Sequence, residues 1–191
     1  MIRLIILSLT LLFNNQPIQN NLEFYREDIK FEIQKDIFIV DGTYYFCNTG
    51  SNYIKENLFY PFPLNDSLYG GIDSIIVIDL KTNQKIPFIR NKEKGIYFKI
   101  NLDPYGIIKY KIGYRQKLLG NTAEYILTTT QSWKKSFEIV NYELITPPNI
   151  EILSVSYEPD SIFQAENKFT YLWKRKDFMP DKNMLIRFRS K

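Results

Sequence analysis

Histidine is missing from this chain altogether, and cysteine occurs once, as Cys47. Without histidine these residues offer no Ser-His-Asp triad, no Cys-His pair and no histidine-containing zinc site. A lone cysteine forms neither an intramolecular disulfide nor a CxxC redox pair. Its place in an apolar, strand-like run favours a buried free thiol. Glycine is sparse, eight in 191 residues. Neither GxGxxG nor GxxxxGK[ST] occurs, so no phosphate cradle is expected, and Gly70-Gly71 reads as a turn. After the first apolar run, none approaches the ~20 residues of a membrane-spanning helix, so no transmembrane segment is expected in the mature chain. No metal or cofactor is expected.

What remains is rich in rings. Phe and Tyr number 14 each, and 45% of residues are hydrophobic, which excludes a mainly disordered chain. At the start, Met1-Ile2-Arg3 leads into Leu4-Ile5-Ile6-Leu7-Ser8-Leu9-Thr10-Leu11-Leu12-Phe13 and a polar flank, Asn14-Asn15-Gln16. One positive charge before about ten apolar residues is a signal-peptide pattern, although no small-x-small cleavage site is visible. Residues 1–20 are therefore expected to direct export to the periplasm, the cell surface or the medium. Residues 21–191 are expected to form one domain, with a subdivision near Gly120 as the alternative.

Formal net charge is +4, but it is unevenly spread. The stretch 168–191 holds Lys168, Lys174, Arg175, Lys176, Lys182, Arg187, Arg189 and Lys191 against Asp177 and Asp181. Export and the modest overall charge both argue against nucleic acid as a partner.

The period of the hydrophobic pattern is two nearly everywhere from Ile29 onward. Ile29, Phe31 and Ile33 alternate with Lys30, Glu32 and Gln34; Phe38, Val40, Tyr44 and Phe46 share a face, with Gly42 among them as a candidate bulge. Residues 22–28 read as a lead-in or helical turn. The apolar middle of 72–80 predicts a central strand covered on both faces. Residues 96–102 and 108–114 alternate on either side of Asp103-Pro104-Tyr105-Gly106 and predict an antiparallel hairpin, with Gly106 supplying positive φ. Pro87 predicts an edge, and residues 122–130, 137–145, 150–157, 168–174 and 184–189 supply further strands. Ten or more short strands divided by turn signals predict an all-β fold, an antiparallel β-sandwich of immunoglobulin-like or related type.

Tyr44-Tyr45-Phe46-Cys47-Asn48 and Phe59-Tyr60-Pro61-Phe62-Pro63-Leu64, an aromatic-x-Asn strand end followed by an apolar stretch closing in Pro-x-Pro-Leu, carry a resemblance. Over roughly residues 31–79 the chain resembles the β-sandwich of vault/inter-α-trypsin-type domains and several exported bacterial domains of unknown function. The resemblance implies a sandwich and a non-catalytic role. The residues themselves say that Pro61 and Pro63 end sheet pairing, that Phe59 and Phe62 bury, and that the Asn48 amide bonds backbone in a turn.

For chemistry the carboxylates come first, because glycoside hydrolysis needs two. Glu158 and Asp160 share a loop, and Glu151, Asp103, Asp66 and Asp73 lie near turns, but none sits in a motif. Asn65-Asp66-Ser67 fits a glycosylation acceptor. Trp133, and Trp173 beside Lys174, Arg175 and Lys176, form the candidate binding surface, where rings would stack on sugars and cations would attract an anionic glycan or an envelope protein. Against this, Trp173 is in phase with Phe169 and Tyr171 and suits a core, and Trp133 suits a plug at a sheet end. The expected function is non-catalytic binding or assembly at the cell envelope. The alternatives are a carboxylate-dependent envelope glycan hydrolase and a subunit of a larger surface complex.

Overall fold

The computed structural model describes residues 21–63, 69–92 and 94–191. The leader at 1–20 and the Asn65-Asp66-Ser67 acceptor lie outside the described residues.

The described chain forms β1 (Leu22–Gln34), β2 (Ile37–Asn48), β3 (Ile54–Pro61), β4 (Tyr69–Asp79), β5 (Gln84–Lys85), β6 (Phe88–Arg90), β7 (Gly95–Leu102), β8 (Ile107–Leu118) and β9 (Thr122–Tyr125). A 3₁₀ turn, Thr128–Trp133, follows, and then β10 (Phe137–Thr146), β11 (Ile150–Val155), β12 (Ser161–Ala165), β13 (Lys168–Phe178) and β14 (Met184–Ser190). Eight strands form one sheet in the order β12-β13-β10-β1-β2-β8-β4-β5, and two three-stranded sheets, β11-β14-β9 and β3-β7-β6, complete the fold. Pairing is antiparallel except between β1 and β10. That parallel pair joins the strands before Gly120 to those after it in one continuous sheet. The all-β sandwich expectation holds.

One face of the large sheet is apolar and the other polar, as alternation requires. Phe31, Ile33, Phe38, Val40, Ile112, Val140 and Leu144 are buried on the inner face, and a single core takes in residues of all three sheets. Each large side chain removed from water there contributes about 1.5–3 kcal/mol. The outer face carries ion pairs and hydrogen bonds: Arg26 with Asp28 at 2.8 Å, Lys111 with Asp41 at 2.8 Å, and the Tyr45 hydroxyl donating to Asp28 at 2.6 Å. Cys47 lies half-buried on this outer face, its thiol pushed up by burial and by Glu23, rather than in the core.

Several strand readings are corrected. Residues 22–28 are strand, part of β1. β4 is not central, because beyond it lies only the two-residue β5. Its apolar run is explained instead by Ile76, which packs on the outer face against Gly113, where a side chain on the glycine would come within 3.3 Å of it. β7 and β8 are consecutive but do not pair: β7 bonds β3 and β6, and β8 bonds β2 and β4. The turn between them carries the chain from one layer to the other, so Phe98 and Tyr110 meet edge to face across the core, with ring centroids 5.5 Å apart and planes at 70°. Alternation is the same in a hairpin and in such an arch, which is why the pattern alone misplaced them. In that turn Tyr105, not Gly106, takes positive φ at 55°. Gly42 sits in regular register opposite Ile29, and the bulge falls instead between Phe24 and Arg26. β12, an edge strand whose residues are all exposed, was not anticipated.

Asn48 behaves as its turn reading predicts. Its amide donates to the carbonyls of Asn52 (2.7 Å) and Asp103 (3.0 Å) and accepts from Gly50 N–H (2.9 Å), tying the β2–β3 connection to the β7–β8 turn. The side chain is buried, so truncation leaves these groups without partners. Asn48→Ala is expected to lower stability by about 2 kcal/mol in urea unfolding; an unchanged midpoint would show that water replaces the amide.

Candidate functional site

The site grows from one irregularity in β1. Phe24 pairs with Phe46 and Arg26 with Tyr45, so Tyr25 is an extra residue in the ladder. The slip turns Arg26 outward, where its guanidinium lies 4.6 Å from the Tyr45 ring centroid, and turns Glu27 inward opposite Tyr44. Glu27 is therefore a carboxyl on the apolar face, 3% exposed.

Phenols surround it. Tyr142 of β10 donates to Oε1 at 2.5 Å, and Tyr125 of β9 donates to Oε2 at 3.5 Å. The Tyr44 hydroxyl lies 2.9 Å from that of Tyr125 and 2.7 Å from that of Tyr60, on β3. Burial pushes the Glu27 carboxyl up to about 8, helped slightly by Asp28 and opposed by the hydrogen bonds of Tyr142 and Tyr125. Burial likewise raises all four phenols, with the Glu27 carboxyl contributing. The neighbouring Asp28, on the outer face, goes the other way: burial works against it, but hydrogen bonds from Arg26, Tyr45 and Asn141 hold it below the usual carboxylate value. Two adjacent acids of one strand thus sit in opposite regimes.

Above Glu27 opens a cavity of about 300 Å³. Its floor is the large sheet, with Phe24, Glu27, Tyr44, Phe46 and Ile112; one wall is β3 and β7, and the other is Tyr125, Ile126 and the 3₁₀ turn. Phe59, Thr129 and Ser132 are exposed at its rim. The Trp133 ring closes one end, 5.9 Å from Phe24 and 6.0 Å from Phe46 between centroids. Asn183 holds the turn that carries it: its Oδ1 accepts from the Leu127 and Thr128 N–H groups at 3.2 Å each and from the Thr128 hydroxyl at 3.0 Å. Lys134, at φ 54°, ends the turn, and Lys135 then pairs with Glu23. Gly42 makes room for Tyr44, whose Cε2 would lie 2.6 Å from any Cβ at that position. This is a pocket of the ordinary ligand-binding kind, mostly apolar with a few convergent polar groups.

Of the five residues expected to form a binding surface, the structure places Trp133 at this cavity and the others elsewhere. Trp173 is 2% exposed and its Nε1 donates to the Tyr157 carbonyl at 2.7 Å, so its core reading holds and its ring faces no solvent. It pairs with Tyr142, level with Ile29, roughly 15 Å along the sheet from Phe24 at the rise of a strand. Arg175 is engaged by Asp160 and by the Glu158 carbonyl, and Lys174 N–H donates to Asp160 at 2.7 Å; the Lys174 and Lys176 side chains are exposed. The loop acids serve structure in the same way: Glu151 pairs with Arg189 and Asp73 with Arg115, both at 2.9 Å. Asp66 lies outside the described residues. Among the described residues no group of three metal-ligating side chains comes together.

Glu27, Tyr60 and Tyr125 were not singled out in the sequence. One signal pointed to Glu27: it has the parity of Ile29, Phe31 and Ile33, while Leu22 and Phe24 have the other, so a strand running through both needs a bulge between them. The phrase Phe59-Tyr60-Pro61-Phe62-Pro63 also divides differently from expectation. Phe62 and Tyr60 bury, while Phe59 is 42% exposed and rests on Tyr97 at the cavity rim.

The fold and site thus define an all-β sandwich with an internal, aromatic-lined cavity. No family model and no curated protein matches the sequence. Among solved structures the chain is similar to a candidate nutrient-binding protein of Legionella pneumophila, with TM-score 0.73 and 14% identity over 88% of this chain and 67% of that one. It is also similar to an M1 zinc metallopeptidase of Deinococcus radiodurans, with TM-score 0.51 and 9% identity over 88% of this chain and 42% of that one. A two-domain M1 zinc metallopeptidase gives TM-score 0.50 and 8% identity, with 43% of that chain covered. The chain spans about two thirds of the Legionella protein and under half of the peptidases. At these identities the likeness is one of fold.

Two outcomes follow from the geometry. Gly42→Ala drives a methyl into the Tyr44 ring and is expected to cost about 1–3 kcal/mol of stability, read by urea unfolding; a neutral result would mean that Tyr44 has a second rotamer within the cavity. For pH, the folded protein binds the Glu27 proton more tightly than the unfolded chain, so Glu27 favours folding most below about 4.5, and that contribution falls as pH rises to about 8. Glu27→Gln, an uncharged isostere, should therefore be more stable relative to the parent at pH 8 than at pH 5. Equal differences at the two values would place the Glu27 proton elsewhere.

Proposed function

We propose that the protein is an exported, non-catalytic binding module that takes a small, largely apolar ligand in the cavity over Glu27. The observation that carries this reading is the cavity itself. A protein interior is ordinarily packed to crystal-like density, yet here about 300 Å³ stands open between two small sheets and the large one, rimmed by exposed Phe59, Thr129 and Ser132. That is at the lower end of ligand pockets and about twice the cavity of ~150 Å³ known to hold one benzene molecule. Filling it with a ring removes apolar wall from water and restores lost packing contacts. Export rests on the leader pattern of residues 1–20, and a role at the cell envelope is the form of export we favour. The nutrient-binding description of the Legionella protein supports a binding role by analogy of fold.

Titration of the full chain with small aromatic fragments, followed by nuclear magnetic resonance of the side chains, tests the reading. Saturable shifts are expected at Phe24, Tyr44, Tyr60 and Trp133. Leu58→Trp, which fills the cavity from its β3 wall, should weaken binding at least tenfold while leaving thermal stability intact. Shifts confined to other surfaces, or no saturable binding at millimolar fragment, would overturn the proposal.

A further inference from the structure

We infer that the cavity is selective for a small organic cation, an aromatic or apolar amine whose ammonium meets Glu27 and whose body lies against Phe24, Phe46 and Trp133. This rests on the cavity being a ligand site and names the chemistry of its ligand.

Four hydrogen bonds within 3.5 Å link Tyr142, Glu27, Tyr125, Tyr44 and Tyr60 in sequence. Each phenol brings one proton. With Glu27 ionised, four phenol protons fill the four contacts, Tyr142 and Tyr125 donating to the carboxylate, Tyr44 to Tyr125 and Tyr60 to Tyr44. With Glu27 protonated there are five protons for the same four contacts, and one O–H is left over. The hydrogen-bond arrangement thus suits the carboxylate.

The surroundings disfavour it. Glu27 is buried, and among the described residues neither lysine nor arginine lines the cavity. The groups facing it from the packed strands are the phenols of β2, β3, β9 and β10, all neutral, and its own neighbour Asp28 adds a like charge on the far face of the sheet. An unpaired carboxylate in such a place bears a large desolvation cost. What the site lacks is one positive charge. An ammonium in the cavity would supply it and donate to the lone pairs of Glu27 that the two tyrosines leave open. The lining rings offer negative π-faces to the same cation. An anionic ligand, by contrast, would meet no positive side chain among the described lining residues.

Binding of such a cation to the protonated site ionises Glu27, so a proton leaves to solvent when the amine binds. Affinity should rise with pH up to about 8 and level off above it.

The test is calorimetric titration of the full chain with three probes that share one ring: 2-phenylethylamine, 2-phenylethanol and 3-phenylpropanoate. The amine is expected to bind at least tenfold more tightly than the alcohol, and the carboxylate more weakly than either. At pH 6 the heat of amine binding should vary with the ionisation enthalpy of the buffer, reporting the released proton. Glu27→Gln should bring the amine-to-alcohol ratio close to one. Should that variant misfold, the three-probe series and the proton release in the parent protein decide the matter alone. Equal affinity for amine and alcohol, a preference for the carboxylate, or amine binding without proton release would overturn the cation inference while leaving the cavity a ligand site. Absence of binding by all three probes would overturn both.

Discussion

One extra residue in a β-ladder sets the interior of this protein. In a regular strand the face alternates without exception, so a strand that buries Leu22 and Phe24 would also bury Arg26 and Asp28, and expose Glu27, Ile29, Phe31 and Ile33. The bulge at Tyr25 resolves the conflict by changing phase between two hydrophobic sets. An apolar pair, Leu22 and Phe24, and an apolar triplet, Ile29, Phe31 and Ile33, then share a core, two charged residues turn to the outer face, and one acid is carried inside with the later set. Glu27 is buried because the phase that buries Ile29, Phe31 and Ile33 leaves it no other direction.

A carboxyl in that position must be satisfied, and the chain meets the demand with tyrosines drawn from four other strands. Tyr44, Tyr60, Tyr125 and Tyr142 come from β2, β3, β9 and β10, and each of the two small sheets contributes one, Tyr125 and Tyr60. The cluster therefore links all the layers of the fold through side-chain hydroxyls, where backbone hydrogen bonds cannot cross. The same demand explains Gly42. Among inward positions otherwise filled by Phe38, Val40, Tyr44 and Phe46, a glycine is locally unfavourable, yet only its bare face admits the Tyr44 ring at the angle that brings the hydroxyl between Tyr60 and Tyr125. The ring-rich composition is thus partly a polar device: tyrosine fills core volume as phenylalanine does and still delivers an O–H to a buried acid.

Much of the fold was legible because it rests on a period of two. The inward set Phe38, Val40, Tyr44 and Phe46, the Asn48 turn and the core place of Trp173 all follow from alternation and turn chemistry, while Pro87 falls in no strand but in the break between two edge strands, β5 and β6. What alternation does not carry is which strand bonds to which. β7 and β8 have patterns suited to a hairpin, and only the positive φ of Tyr105 and the ties of Asn48 to Asp103 and Gly50 distinguish the arch that they form. The site was harder still. Glu27 became readable only by asking why two hydrophobic sets of opposite parity adjoin, and Tyr60 looked like part of a proline-ended edge. Trp133 was found as an isolated ring in a polar stretch, but its neighbours come from strands more than eighty residues earlier, and no local pattern records such a meeting.

The likeness to parts of larger chains is one of frame, and the cavity's chemistry is set by particular residues. The fold covers under half of each metallopeptidase, and a histidine-based zinc centre of the kind a metallopeptidase needs has no counterpart in a chain without histidine. Among the described residues, the floor, both walls, the closing ring and the buried acid of the cavity come from strands and a turn of this fold. Shared architecture therefore says little about shared chemistry here. The large sheet with its two small companions is a frame, and its chemistry depends on which inward position receives a carboxyl. In this protein that position was selected by a bulge, and the phenols, the glycine and the open volume above it are arranged around that choice.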